Sequence, residues 1–125
     1  MTIFRIENSV GLGPYVSNAN QENQILHQMN LDHSCSPLHP MPWEDNLPEM
    51  AREYELCGFE SIEKLKKWFD GWINRLYDNG FFAVQLEIDE KYVKFGNYQI
   101  VFNKNRVYSK KQLSLEDLTE VIMSN

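Results

Sequence analysis

Cationic side chains are in short supply in this chain: Lys and Arg number 12 against 18 Asp and Glu, for a formal charge of −6 and a pI near 5.0. A surface that grips nucleic acid through its phosphates needs the opposite balance. Direct nucleic-acid binding is therefore not expected, and long-range attraction favours a partner with a basic surface. Cysteine is scarcer still. Cys35 and Cys57 can in principle pair, but no signal-peptide pattern opens the chain, so reduced thiols in a cytosol are expected. No apolar run approaches the roughly 20 residues that cross a bilayer, which removes a membrane partner and points to a cytoplasmic protein.

Several motifs are also missing. His33, Cys35 and His39 carry atoms that bind zinc, but neither a Cys-x-x-Cys nor a His-x-x-x-His element completes a shell, so no metal is expected. Gly11-x-Gly13 lacks the third glycine of a dinucleotide fingerprint, Pro14 removes a backbone donor, and no βαβ unit follows. A turn explains the glycines better than a phosphate cradle does. Neither cysteine lies in a peptidase signature, and a small buried thiol is the simpler reading of Cys57. No internal repeat is present.

What is there describes a folded domain, with 42% hydrophobic and 13% aromatic residues over 125 positions, enough for one core. The expected class is α+β: a single compact domain, residues 1–125, whose mostly antiparallel sheet packs on one long amphipathic helix over about 61–79, with shorter helices around it. Ile3, Phe4 and Ile6 make a first strand, stopped by Gly11, Gly13 and Pro14. Residues 17–48 read as an irregular insertion. Within it Ile25, Leu26 and Met29 have helical spacing around 20–30, and the proline-rich stretch that follows reads as a loop.

Pro48 and Glu49 suit the first turn of a helix running to about Leu56 and ended by Gly58. Ser61 is the N-cap of the long helix, whose stripe is Ile62, Leu65, Trp68, Phe69, Trp72, Ile73 and Leu76, and Asn79-Gly80 stops it. Strands follow in "FFAVQLEID" and in "YVKF" and "YQIVF", the last two joined by a Gly96-Asn97 loop. A turn at 103–105 leads to Val107-Tyr108, and Ser114-x-x-Asp117 signals a final helix.

The candidate functional groups fall into two sets. One is acidic: Glu44, Asp45, Glu49 and Glu53, with Glu55 and Glu60 beyond and only Arg52 interrupting, form a cluster that can compete for a cationic groove. The other begins with Arg5 on the first strand, which either pairs with Glu7 or holds a ligand.

The motifs "FRIENSVGLGPY", "HPMPWED", "CGFESIEKLKKWF", "NGFFAVQLEI" and "GNYQIVF", spread from Ile3 to Phe102, together resemble a family of small phage and prophage proteins. That resemblance implies a phage setting and a host-cell cytosol, and no particular activity. The layout of an early Arg-bearing strand, a helical insertion and a late strand with Gln is also similar to that of ADP-ribosyltransferases. That second resemblance implies an NAD pocket: Arg5 on the pyrophosphate, Tyr15 and Trp43 flanking a ring, His39 bordering the same loop, and Gln99 at the catalytic late-strand position. Gln99 can hydrogen-bond a ribose hydroxyl but has no charge with which to act as a carboxylate base.

Two expectations of different class follow. One is a phage-encoded anti-defence protein, of anti-CRISPR or anti-restriction type, with an ADP-ribosyltransferase-like NAD pocket. The other is a non-enzymatic acidic protein that blocks a cationic or nucleic-acid-binding site on a host protein.

Overall fold

The β-forming residues of the first strand and the alternating apolar residues of "FFAVQLE" find each other across the whole domain. The computed structural model describes residues 1–14, 24–34, 39, 45, 47 and 54–118, and in it β1 (Thr2–Asn8) pairs antiparallel with β3 (Phe81–Glu87) over seven residues. β6 (Ser109–Gln112) pairs antiparallel on the other side of β3, giving a three-stranded sheet of order β1-β3-β6. A second antiparallel sheet has the order β2-β5-β4, from β2 (Glu55–Gly58), β5 (Ile100–Asn103) and β4 (Val93–Phe95). The class is α+β, as expected.

The two sheets are hinged at one point. Phe4 and Phe59 exchange backbone hydrogen bonds of 2.8 and 2.7 Å, so the chain leaving β2 touches the free edge of β1. Gly58 lies at this crossing. A Cβ there would come within 2.9 Å of Ile3 Cγ2 and 3.0 Å of the Phe4 carbonyl oxygen, so the sheets meet closely only because the side chain is missing.

The first sheet is covered on both faces, which explains why Phe81 and Ala83 are as buried as Val84 and Leu86. On one face Ile6, Phe81 and Ala83 pack with Phe59, Leu65, Phe69 and Leu76. On the other Ile3, Val84 and Leu86 pack with Val93, Ile100 and Phe102 of the second sheet. Each such side chain, taken from water, contributes about 1.5–3 kcal/mol, against about 0–1 for an exposed pair such as Lys64–Glu60. The two apolar layers, not the surface charges, hold the sheets in place.

Five expectations need correction. The long helix over 61–79 is broken into α2 (Ile62–Trp68) and α3 (Ile73–Asp78), following α1 (Gln24–Ser34). Gly71 between them takes φ +82, and the Trp72 amide turns back to the Phe69 carbonyl at 2.8 Å. Ser61 caps α2 through Lys64 N, and Gly80 at φ +83 follows α3, so both outer ends lie where they were expected. Leu56 and Gly58 belong to a strand and not to the end of a helix; residues 48–53 lie outside the described residues.

The β4–β5 loop has four residues, 96–99, instead of two, and the last strand is the wholly exposed Ser109–Gln112, not Val107-Tyr108. Helix α1 runs on through Asp32 and His33, beyond the expected end near 30. The final helix signal holds: Ser114 and Asp117 cap each other at 2.9 and 3.1 Å, and residues 115–118 are helical. Hydrogen bonds from the Ser114 backbone and side chain to the Asp117 carboxyl lower it below its usual range.

Gly58→Ala is expected to destabilise the protein by about 1–3 kcal/mol, the usual cost of forcing extra volume into a packed site. Urea denaturation would show a lower midpoint with an unchanged slope. An unchanged midpoint would mean that the hinge does not need the glycine.

Candidate functional site

The first strand presents Ile3, Arg5 and Glu7 to the second sheet, because their partners across the ladder are Leu86, Val84 and Phe82. Arg5 and Glu7 are thereby buried, 9% and 3% exposed. Arg5 Nε donates to Glu7 Oε2 at 3.2 Å, and Nη1 donates to the Cys57 carbonyl at 2.9 Å, so one guanidinium ties β1 to β2. The other Glu7 oxygen faces the ammonium of Lys110 on β6. Arg5 does pair with Glu7, as the simpler reading held, but inside the molecule and not on an exposed edge.

The turn after β1 is built for this arrangement. Asn8 Oδ1 accepts from the amides of Val10 and Leu12 at 3.0 and 2.9 Å, and Gly11 takes φ +86. Gly13 then lies against the guanidinium, since a Cβ on it would be 3.2 Å from Arg5 Nη2.

Beside Glu7 a cleft of about 380 Å³ lies between the sheets. Leu56, Leu86, Phe102 and Val107 form its apolar walls, and Glu7, Lys104 and Lys110 bring charge to it. Tyr108, 72% exposed, stands at its mouth. A concave space with apolar walls and a few convergent polar groups is the usual form of a small-ligand site. Sequence reasoning missed Lys104, Tyr108 and Lys110. The stretch "SKKQ" has no apolar alternation, so nothing marked it as a strand beside Glu7.

The expected site residues are distributed differently. Neither Arg5 nor Gln99 lines this cleft. Gln99 is 6% exposed and sits in the β4–β5 loop, where its amide donates to Asp45 Oδ2 at 2.9 Å. Asp45 is 1% exposed, and its carboxylate also accepts from the amides of Asn97 at 2.8 Å and Tyr98 at 3.0 Å. It shapes the loop from inside, and this explains the four-residue length. A Cβ on Gly96 would collide with that same carboxylate. Tyr15, Trp43, Glu44, Glu49 and Glu53 lie outside the described residues. Glu55 is buried and pairs with Lys94 at 3.0 Å.

His39 lies apart from Arg5, against the helices. Its ring stacks on that of His33 at 3.8 Å, with 9° between the planes, and packs edge-on to Trp68 at 4.7 Å. Its Nε2 donates to the Trp68 carbonyl, and among the described residues its buried Nδ1 has no hydrogen-bond partner. Burial, reinforced by the neighbouring His39, pushes His33 down to about 4. Burial likewise pushes the Cys57 thiol up, and a thiol kept protonated is a poor nucleophile. Among the described residues no group of three or more His, Cys, Asp or Glu side chains could hold a metal ion, and no helix is long and apolar enough to cross a membrane.

Comparison with known proteins places this chain in a family. The protein-family model described as Bacteriophage T4 Y00F protein matches residues 1–116, and the chain belongs to that family. No curated protein and no solved structure matches it. The match supports the phage resemblance and lends nothing to the ADP-ribosyltransferase one.

Replacing Asp45 by Ala strands the three loop amides at 97–99, and a loss of about 2–3 kcal/mol is expected, because bonds to a charged acceptor are the strong ones. Urea melts would measure it; a loss within error of zero would show that water replaces the carboxylate. His33 generates a pH dependence. Its folded value, about 4, lies below the ordinary 6.5, so the unfolded chain takes up the proton first. The stabilisation from neutral His33 is complete above about pH 6.5 and is lost as pH falls toward about 4. In His33→Gln the urea midpoint should fall less steeply over that window than in the wild type; equal slopes would assign the pH dependence to other groups.

Proposed function

We propose that this phage-family protein acts by binding a host protein, in an anti-defence role of the anti-CRISPR or anti-restriction kind, and not by turning over NAD. The observation that carries the reading is the disposition of Arg5. Its guanidinium is bonded to Glu7 and to the Cys57 carbonyl, and Gly13 covers it, so the group that would hold a pyrophosphate instead holds two sheets together. Gln99 is tied through its backbone to Asp45 and contributes nothing to the cleft beside Glu7.

Two further features support binding. Membership of a bacteriophage family supports work inside an infected cell. A net charge of −6 draws cationic surfaces over long range, and such surfaces are what nucleic-acid machines present. The partner-facing residues would be Glu44, Glu49 and Glu53, whose reversal is the direct probe.

A pull-down of the full chain from host lysate should capture a basic partner. The complex should weaken as salt is raised and should be lost when Glu49 and Glu53 are changed to Lys. In parallel, NAD should leave the melting temperature unchanged. A melting shift with NAD that disappears in Arg5→Ala, or a partner carrying added ADP-ribose mass, would overturn the non-catalytic reading.

A further inference from the structure

Glu7 is an unusual residue to find in a cleft wall. Its carboxylate is almost fully buried, and only one of its oxygens is held by ordinary geometry, accepting from Arg5 Nε at 3.2 Å. Among the described residues Oε1 accepts no hydrogen bond of normal geometry, and the ammonium of Lys110 lies against it. That lysine is a poor fixture. Its side chain is 51% exposed, and it projects from β6, an edge strand whose four residues are all exposed. We infer that the cleft is a site for a cationic group on a short apolar stem, an alkylammonium or a lysine-like side chain, which Glu7 receives in place of Lys110.

Exchange of one cation for another is what the site permits. A buried carboxylate that loses its counter-charge is costly, whereas one ammonium replacing another keeps Glu7 neutralised. Lys110 then swings on its long stem into water, at little loss for a half-exposed group. An anion that drew Lys110 away would leave Glu7 with Arg5 alone, and its other partner in the cleft lining is Lys104, the outcome that the butyrate arm of the test reads. Leu56, Leu86, Phe102 and Val107 would take the stem, and about 380 Å³ suits a chain of a few carbons. Tyr108 at the mouth offers a ring face to the same cation. This site does not depend on the anti-defence reading, since a free amine can fill it with no host partner present.

The experiment uses n-butylammonium, with butyrate as the anionic control and N-acetyl-lysine methylamide as the side-chain analogue. Amide shifts of the full-length protein are followed in 1H–15N spectra alongside melting temperature. Butylammonium should shift Glu7, Leu86 and Lys110, and butyrate should not. Lys110→Ala, which removes the resident cation, should melt lower, bind butylammonium about tenfold more tightly and regain its melting temperature when the amine is added. Adding Glu7→Gln to that variant should abolish both binding and rescue.

Tighter binding of the lysine analogue than of the amine assigns the cation to a protein side chain; the reverse order assigns a small free amine. Either order supports the site. A Lys110→Ala protein that folds but shows no shift and no rescue at millimolar amine overturns it, as does a response to butyrate instead.

Discussion

β1 and β3 pair over seven residues in a single register, and that register decides which side of the sheet each side chain faces. Side chains alternate across a strand, so a slip by one residue would turn Arg5 and Glu7 toward the helices and Phe4 and Ile6 toward the second sheet. Both outcomes are prohibitive: charges would enter an all-apolar layer, and the inter-sheet layer would lose Ile3. The pairing is held by apolar residues on both faces at once, Ile6 with Ala83 on one and Ile3 with Leu86 on the other. Arg5, Glu7 and the cleft beside them are consequences of this one choice.

Polar chemistry in this protein largely serves the backbone. The Asp45 carboxylate collects the amides of residues 97–99, Asn8 closes the turn after β1, Tyr77 bridges the Leu113 carbonyl and the Ala83 amide, and Arg5 joins β1 to β2. Of these, Arg5 and Asp45 were the candidates for a ligand and a partner in the sequence. Glu7 differs, because one of its oxygens answers to a half-exposed lysine beside a cleft. The contrast between Arg5, held at both ends, and Glu7, held at one, separates structural from functional candidates more sharply than residue type does. Close approach by glycine has the same architectural character. Gly13, Gly58 and Gly96 each lie where a Cβ would meet Arg5, Ile3 or Asp45, so these three glycines mark close contacts.

The sequence by itself determined the parts whose signals are local. β-forming side chains mark β1, period-two alternation marks β3, the apolar stripe marks the helical region after Ser61, Asn79-Gly80 marks its end, and Ser114 with Asp117 marks the last cap. The shared phage motifs, likewise written in the chain, anticipated the family. Tertiary structure alone decided the rest, because it depends on groups distant along the chain. Gly71 interrupts the expected helix at φ +82, with Phe59 against Trp68 and Phe69 before it and the Ala83 amide donating to the Tyr77 hydroxyl after it. Leu56 and Cys57 become a strand because β5 is there to pair with them, and "SKKQ" because β3 leaves an edge open. Whether an Arg, an Asp or a Glu is anchor or site depends on which partner lies across the fold, and such pairings of residues 50 or more apart leave no local trace: Asp45 with Gln99, Arg5 with Cys57, Glu7 with Lys110.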